Sequence, residues 1–254
     1  MNPHERTPTF QRYAQLYDSI YEDKDTESEV SFVLEQLRHG GLEGPSRILE
    51  LGAGTGRHAR LLADQGHIVV GVEASVDMVD RAISRENLTI VLGDARTVRL
   101  GVHFQAVVAL FHVVSYQVND CDLEQLFKTA AAHLVSGGLF GFDVWFSPAV
   151  HALRPEERIF EKETDVVSIV RRARPSENLA RSLVFVEYDF TLKDKRSGRV
   201  EQFIEVHTMR HFCENEIRSF ADAAGFEILT ATAFLTGLEP SRDSWGVWFT
   251  ARKR

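Results

Sequence analysis

The sequence predicts a doubly wound α/β fold, a mostly parallel sheet interrupted by an antiparallel β insertion. Three observations predict it. A short apolar run, Arg47–Leu51, ends in Gly52-Ala53-Gly54-Thr55-Gly56, with glycines at alternate positions. Strand-like and helix-like segments then alternate as far as Trp145. Beyond Trp145 come three long strand-like runs, 164–174, 179–192 and 199–212, joined by turn-rich tetrapeptides.

The elements follow in order. Residues 1–12 read as a loose arm. Tyr13, Tyr17 and Tyr21 recur at i, i+4 and i+8 on one helix face, a stripe suited either to core packing or to an aromatic lid over a ligand. Thr26 and Glu29 have capping-box spacing, and Val30, Val33, Leu34 and Leu37 supply the apolar face of the helix they open. Gly40-Gly41 and Gly44-Pro45 end it. A strand at 47–51, a helix at 56–65 closed by Gly66, a strand at 67–73, a helix at 76–85 capped by Ser75 and a strand at 88–92 come next. The run 104–110 is apolar on both faces, as a central parallel strand must be. Asp120, Asp122 and Glu124 favour the N-terminal end of a helix finishing near Leu134, and Ser136-Gly137-Gly138 leads into a strand at 139–144. Residues 146–163, with Pro148 and Pro155, read as irregular. The insertion turns at 175–178 and 195–198, and a helix at 214–224 with strands at 227–233 and 246–252 closes the chain. The expected organisation is an N-terminal helical lid (1–45), a ligand-binding core (46–145), the β insertion (146–212) and a C-terminal completion of the core sheet (213–254).

The 254 residues suit one large α/β domain or a domain with an insertion, and 44% hydrophobic residues suffice for a sizeable core. A net charge of −8 opposes nucleic-acid phosphates. The short basic stretches, Arg171-Arg172 with Arg174 and Arg252-Lys253-Arg254, read as solvated strand ends and a tail, so nucleic acid is not expected as a partner. Two cysteines, Cys121 and Cys213, without metal-ligand spacing suit a reducing compartment, and no metal is expected. Residues 1–9 lack the apolar core of a leader, and the most apolar run, 106–114, is too short to span a bilayer. A cytoplasmic chain with no membrane partner is expected, with a homodimer left open.

Four features fall at the carboxyl edge of the predicted sheet, where open α/β folds bind ligands. The first is the glycine loop with Glu50 ahead of it; glycine permits a tight turn and close approach of a ligand. A dinucleotide-binding loop needs G-x-G-x-x-G, yet the last of those positions holds Arg57. The second is Glu73, whose two acceptor oxygens can take both hydroxyls of a ribose. The third is Gly93-Asp94-Ala95-Arg96, where Asp94 can accept the exocyclic amine of an adenine. The fourth is the segment from Leu110 to Tyr116, which contains His112. Singly, Glu73 reads as an exposed strand end, Asp94 as an Asx turn and Glu50 as a satisfied buried acid. Their joint occurrence around one loop sets the site apart.

The loop and its preceding acid resemble motif I of the class I S-adenosylmethionine (SAM) dependent methyltransferases. The resemblance covers residues 45–145, with a weaker continuation to 254. It implies a Rossmann-like, seven-stranded sheet whose last strand, 246–252, is reversed, and SAM as cofactor. It implies Glu50, Gly52, Gly54 and Gly56 around the methionine part, Glu73 on the ribose and Met78 near the adenine. Asp94 and the Ala95 amide would read the adenine edge, and the Leu110 carbonyl would meet the methionine amino group. The Tyr-rich N-terminal helix, the Gly-Asp-x-Arg at 93–96, the run Phe140-Gly141-Phe142-Asp143-Val144-Trp145 and the β insertion are similar to small-molecule methyltransferases, the nucleotide-linked amino-sugar N-methyltransferases among them. Glu50 stands where that subgroup often has Asp, and His112 where some relatives have a small residue, which leaves the substrate open.

Methyl transfer from a sulfonium is an in-line displacement, so an amine acceptor must first shed a proton and a hydroxyl needs a stronger base. His112 is the candidate for that base or for a group holding the acceptor in line, since imidazole as a class titrates near neutrality; its ordinary alternative is packing. Tyr116 and Tyr17 are further catalytic candidates, since aromatic faces can lie against a sulfonium. Trp145, Asp143, His207 and His211 are candidates for the acceptor pocket. The expected activity is methyl transfer to an amine or hydroxyl of a small sugar-like or secondary-metabolite acceptor, with the insertion as a roof or a dimer contact. An NAD-linked oxidoreductase and a non-catalytic SAM-binding module are the alternatives. No Asn/Asp-Pro-Pro-Tyr follows the fourth strand, which weakens DNA and glutamine acceptors.

Overall fold

The computed structural model describes residues 6–7, 10 and 12–254. The elements run β1 (Arg6–Thr7), α1 (Ala14–Ile20), α2 (Thr26–His39), β2 (Arg47–Leu51), α3 (Arg57–Asp64), β3 (Ile68–Glu73), α4 (Val76–Val79), β4 (Leu88–Leu92), β5 (Phe104–Ala109), α5 (Asp120–His133) and β6 (Leu134–Phe146). They continue with α6 (Ser147–Leu153), β7 (Arg158–Glu163), β8 (Val167–Asn178), β9 (Leu183–Asp194), β10 (Val200–Phe212), α7 (Glu214–Ala223), β11 (Phe226–Ala233) and β12 (Gly246–Lys253). Among the described residues no helix is long and apolar enough to cross a membrane.

The core sheet has the order β4-β3-β2-β5-β6-β12-β11. Strands β2 to β6 are parallel, and β12 runs antiparallel to both of its neighbours. This is the seven-stranded sheet with a reversed last strand that the sequence resemblance implied. The strand order reverses between β2 and β5, so a crevice opens beyond their carboxyl ends. The glycine loop leaves β2 there, and the segment Leu110 to Tyr116 leaves β5.

Both faces of the sheet are covered. Helix α2 buries Val30, Val33, Leu34 and Leu37 against Ile48, Ala106 and Trp248. Helices α5 and α7 cover the other face, where Phe127, Phe140, Phe142, Phe226 and Phe249 pack in one cluster. Gly141 on β6 makes room for Trp248, since a Cβ there would lie 2.4 Å from its indole.

The insertion grows off the core sheet. Strand β6 outruns β5, and its last residues pair in parallel with β10, Trp145 opposite His211 and Phe146 opposite Phe212. Strands β10, β9, β8 and β7 then form an antiparallel sheet in that order.

Four local expectations need correction. Asp25, not Thr26, caps α2, accepting the Ser28 N–H at 2.9 Å, while Glu29 turns away to His58. Helix α4 ends at Val79 rather than position 85, because Arg85 pairs with Leu88 and pulls the chain back to the sheet. The segment 146–163 holds α6, with Pro148 in its first turn, and β7. Residues 175–178 continue β8; Pro175 is tolerated because β7 ends opposite Ala173, so its missing N–H faces no strand.

Candidate active site

The crevice holds a cleft of about 510 Å³, a size typical of small-molecule sites. Gly52, Ala53, Gly54, Glu73, Met78, Asp94, Ala95, Leu110, Phe111 and Tyr116 contribute to its lining. Gly52 and Gly54 have φ of 73° and 57°, which favour glycine. Nothing lies within 4 Å of where a Cβ on Gly54 would sit, so backbone alone meets a ligand there. Glu73 braces the loop: Gly54 N–H donates to its Oε2 at 2.9 Å and Ser75 N–H to its Oε1 at 2.8 Å. Each oxygen keeps one lone pair free.

Glu50 stands behind the loop rather than in the cleft lining. It is 1% exposed, and its Oε2 has no partner. Burial pushes its carboxyl up to about 8 against the pull of a hydrogen bond from the Ala59 backbone, and Glu73 adds to the rise. Gly56 lies outside the cleft lining as well; with φ of 81° it caps the N-terminus of α3. Asp94 borders the cleft, but Arg96 Nε and Nη2 and the Arg96 N–H already donate to it at 2.6–3.1 Å. Those bonds hold its carboxyl below the usual range. Arg96 also reaches Asp122 on α5 at 2.9 Å, so its guanidinium stands at the edge of the cleft where an adenine-reading role was expected of Asp94.

A second chamber of about 80 Å³ adjoins the cleft and shares Phe10, Tyr17, Phe111 and Tyr116 with it. Tyr13, Tyr21, His112, Trp145, Tyr188, His207 and Met209 complete its wall. His112 and Phe111 both have left-handed backbones, φ of 68° and 61°, a strain of roughly 1–3 kcal/mol each. Asp143, itself 1% exposed, offsets that strain by accepting the His112 N–H at 3.1 and 3.2 Å. His112 Nδ1 is 2.5 Å from Asp143 Oδ2, within ion-pair reach but too bent for a hydrogen bond, so Nδ1 lacks a well-directed partner. Asp143 therefore works behind His112 rather than in the acceptor lining. The Trp145 indole N–H in the chamber wall is also without a partner.

Tyr116 donates or accepts at 2.8 Å with His207 Nδ1, and His207 Nε2 stands 3.4 Å from Glu205 Oε2. Burial raises Tyr116 well above the ordinary phenol range and lowers His207. His211 is corrected: it is fully buried at the junction of β6 and β10, bonds Ser147 Oγ at 2.8 Å and lines neither chamber. Burial, with His151 and Arg210 nearby, lowers it to about 4. It shares a strand face with His207 and Met209, but the face passes from chamber to core along β10.

The N-terminal segment covers both chambers. Phe10 C=O accepts from Ser75 Oγ at 3.0 Å, and Asp18 accepts from Thr55 Oγ1 at 2.7 Å. Glu205, fully buried on β10, accepts the N–H groups of Phe10, Arg12 and Tyr13 at 2.9, 3.0 and 2.8 Å. The tyrosine stripe divides its work: Tyr13 packs with Ile169, Phe190 and Phe203 of the insertion, whereas Tyr17 borders both chambers. Sequence reasoning missed Glu205, Arg96 and Phe111. Of the two acids of β10, Glu201 and Glu205, only the second falls among buried neighbours, and that takes the inward parity of the strand to see.

Comparison with known proteins agrees with this geometry. Residues 48–138 match the family model described as a methyltransferase domain. The chain is 29% identical over 220 residues to the dTDP-3-amino-3,4,6-trideoxy-alpha-D-glucopyranose N,N-dimethyltransferase of Streptomyces venezuelae, covering 85% of this chain and 90% of the relative. DesVI from Streptomyces venezuelae superposes with a TM-score of 0.79 at 26% identity, over 95% of this chain and 98% of that one. A sugar N-methyltransferase from Streptoalloteichus sp shares the fold at a TM-score of 0.81 and 24% identity, over 94% and 92% of the two chains. With the glycine loop, the strand order and the matched domain in accord, residues 48–138 form a methyltransferase domain, and the chain is an enzyme of S-adenosylmethionine-dependent methyl transfer.

Proposed function

We propose that this enzyme methylates the amine of a small, polar, amino-sugar-like acceptor held in the aromatic chamber. The observation that carries the reading is the common wall. Tyr17, Phe111 and Tyr116 border both the cleft and the chamber, so a methyl group at the end of one cavity faces a lone pair in the other. The similarity to an N,N-dimethyltransferase of a dTDP-amino sugar supports the amine over a hydroxyl, and no feature favours the oxidoreductase or the non-catalytic reading.

The residues present fit SAM. The cleft is open at Gly54, carries free lone pairs on Glu73, and has apolar walls at Met78 and Leu110. When bound, SAM supplies an electrophilic methyl group. In this reading Glu73 holds the ribose, Met78 packs on the adenine, Asp94 with Arg96 and the Ala95 amide flank its edge, and the Leu110 carbonyl meets the amino group. Gly52 and Gly54 admit the methionine part, with Glu50 and Gly56 shaping the loop from behind. His112, steadied by Asp143, orients the acceptor, and Trp145 offers its N–H to an acceptor oxygen. Tyr17 and Tyr116 screen the transfer from water, which strengthens alignment. Residues 1–45 act as the lid and 146–212 as the cap. A homodimer through that cap and a cytoplasmic location complete the proposal.

Radiolabelled SAM offered with amino-sugar nucleotides and their hydroxyl counterparts tests it. Transfer to the amines, with one or two methyl increments by mass, is expected; transfer confined to the hydroxyl compounds would sink the amine reading.

A further inference from the structure

An alkyl ammonium cannot attack a methyl group until it loses a proton, so the amine reading requires a proton acceptor at the chamber wall. Tyr116 occupies the wall common to both cavities. Its hydroxyl is 2.8 Å from His207 Nδ1, and the opposite ring nitrogen faces Glu205 at 3.4 Å. His207 is 2% exposed and Glu205 is fully buried. The N–H groups of Phe10, Arg12 and Tyr13 all donate to Glu205, so its oxygens act as acceptors throughout. Nε2 of His207 therefore carries the ring proton, and Nδ1 is left to accept from Tyr116.

We propose that Tyr116, His207 and Glu205 form a proton relay that deprotonates the acceptor. It rests on the amine reading given above. The ammonium N–H bond breaks and its proton moves to Tyr116 Oη, while the Tyr116 O–H proton moves to His207 Nδ1. The nitrogen keeps the electron pair that then attacks. One positive charge has passed from the ammonium to an imidazolium beside the Glu205 carboxylate, and the proton returns to solvent through Tyr116 once product leaves. Tyr116 is the group that meets the acceptor; His207 and Glu205 act through it.

The surroundings suit this exchange. Around His207 stand Tyr116 from the turn after β5, Tyr188 on β9, Tyr13 beside α1, Arg171 on β8 and Glu205 on its own strand. Burial and Arg171 favour the neutral ring at rest, and Glu205 opposes them, so the imidazolium is reachable but not the resting form. The same carboxylate fastens the N-terminal segment, so the relay is complete only when the lid is down.

Two measurements on the full chain test the relay. The first is imidazole nitrogen NMR with S-adenosylhomocysteine at saturation, with His207→Gln assigning the signal. A neutral ring with the proton on Nε2 is expected; a proton on Nδ1 or a resting imidazolium would overturn the relay. The second is the pH profile of methyl transfer to the amino-sugar nucleotide named for the Streptomyces venezuelae relative. His207→Gln keeps an acceptor for the Tyr116 hydroxyl but cannot take up a proton. It and Tyr116→Phe should each lower turnover at neutral pH by about 100-fold, the low end of general-base catalysis. Glu205→Gln should move the rising limb toward the acceptor's own pKa, and all three should recover at alkaline pH, with affinity for S-adenosylhomocysteine unchanged in Tyr116→Phe and His207→Gln. A loss equal at every pH, or full activity in His207→Gln, would overturn the relay and leave a structural triad. Should the wild-type enzyme leave this amine unmethylated, the amine reading falls, and the ring tautomer alone decides the relay.

Discussion

Glu73→Ala isolates the most informative contact of the cofactor cleft. The carboxylate uses one lone pair on each oxygen to hold Gly54 and Ser75 and has one left on each for a ribose hydroxyl. Hydrogen bonds to a charged group contribute about 1.5–3 kcal/mol apiece. Water can replace part of that in an open cleft, so two lost ribose contacts are worth about 2–4 kcal/mol, or roughly 30- to 1000-fold in dissociation constant. The two backbone contacts set a separate folding cost of about 1–2 kcal/mol, because freed N–H groups at a half-buried loop find water. Titration calorimetry with S-adenosylhomocysteine reads the first quantity and urea unfolding the second. Glu73→Gln, which retains one acceptor oxygen but no charge, should fall between wild type and Ala. Unchanged affinity in a folded Glu73→Ala variant would refute the ribose role and reduce Glu73 to a loop brace.

Three further outcomes follow from the packing and burial of single residues. A Cβ at Gly52 would stand 2.5 Å from Val113 Cγ2 at a φ of 73°, so Gly52→Ala should cost about 2–4 kcal/mol in urea unfolding. Adding Val113→Ala should recover the steric part, and a single variant as stable as wild type would contradict the packing. Glu50 is protonated in the fold up to about 8 but ionises near 4.5 when unfolded. Its contribution is full below 4.5 and falls as pH rises toward 8, by up to about 1.4 kcal/mol per pH unit. Glu50→Gln should flatten that slope in melts across the range, and an unaltered slope would exclude Glu50 as its source. His211 behaves oppositely: held neutral down to about 4, it supports the fold above 6.5 and withdraws that support as pH falls between those values. His211→Gln, which can still meet Ser147, should be less acid-sensitive by thermal denaturation.

The core was legible because its signals are local. A glycine loop after an apolar strand, an acid one strand later and a Gly-Asp pair two strands later are fixed by the chain path of a parallel sheet. Their places in the sheet follow from order alone. The second chamber was only half legible. His112, Trp145 and His207 could be suspected from residue type, but what sorts His207 from His211 is where β10 leaves the chamber and meets β6, a contact between residues far apart in sequence. Asp94 illustrates the converse. It borders the cleft, but the neighbouring Arg96 that occupies its oxygens was read as motif rather than partner. Pro175 misled for a related reason: proline marks a turn unless the adjacent strand has already ended, and strand length was not readable.

Strand β6 links the cofactor cleft to the second chamber. Its middle residues pair with β5 and β12 and belong to the core, whereas its last two pair with β10 and open the insertion. Asp143 and Trp145 occupy that transition. Asp143 pins the strained turn at His112, and Trp145 begins the wall of the second chamber. Val206 and Thr208 of β10 line the cleft beside Gly52, Glu73 and Leu110, so substitutions on β10 reach both cavities, whereas Tyr188 brings β9 to the chamber. Glu205, also on β10, holds the segment that covers both cavities, so its loss should be felt in the cleft as well as in the chamber.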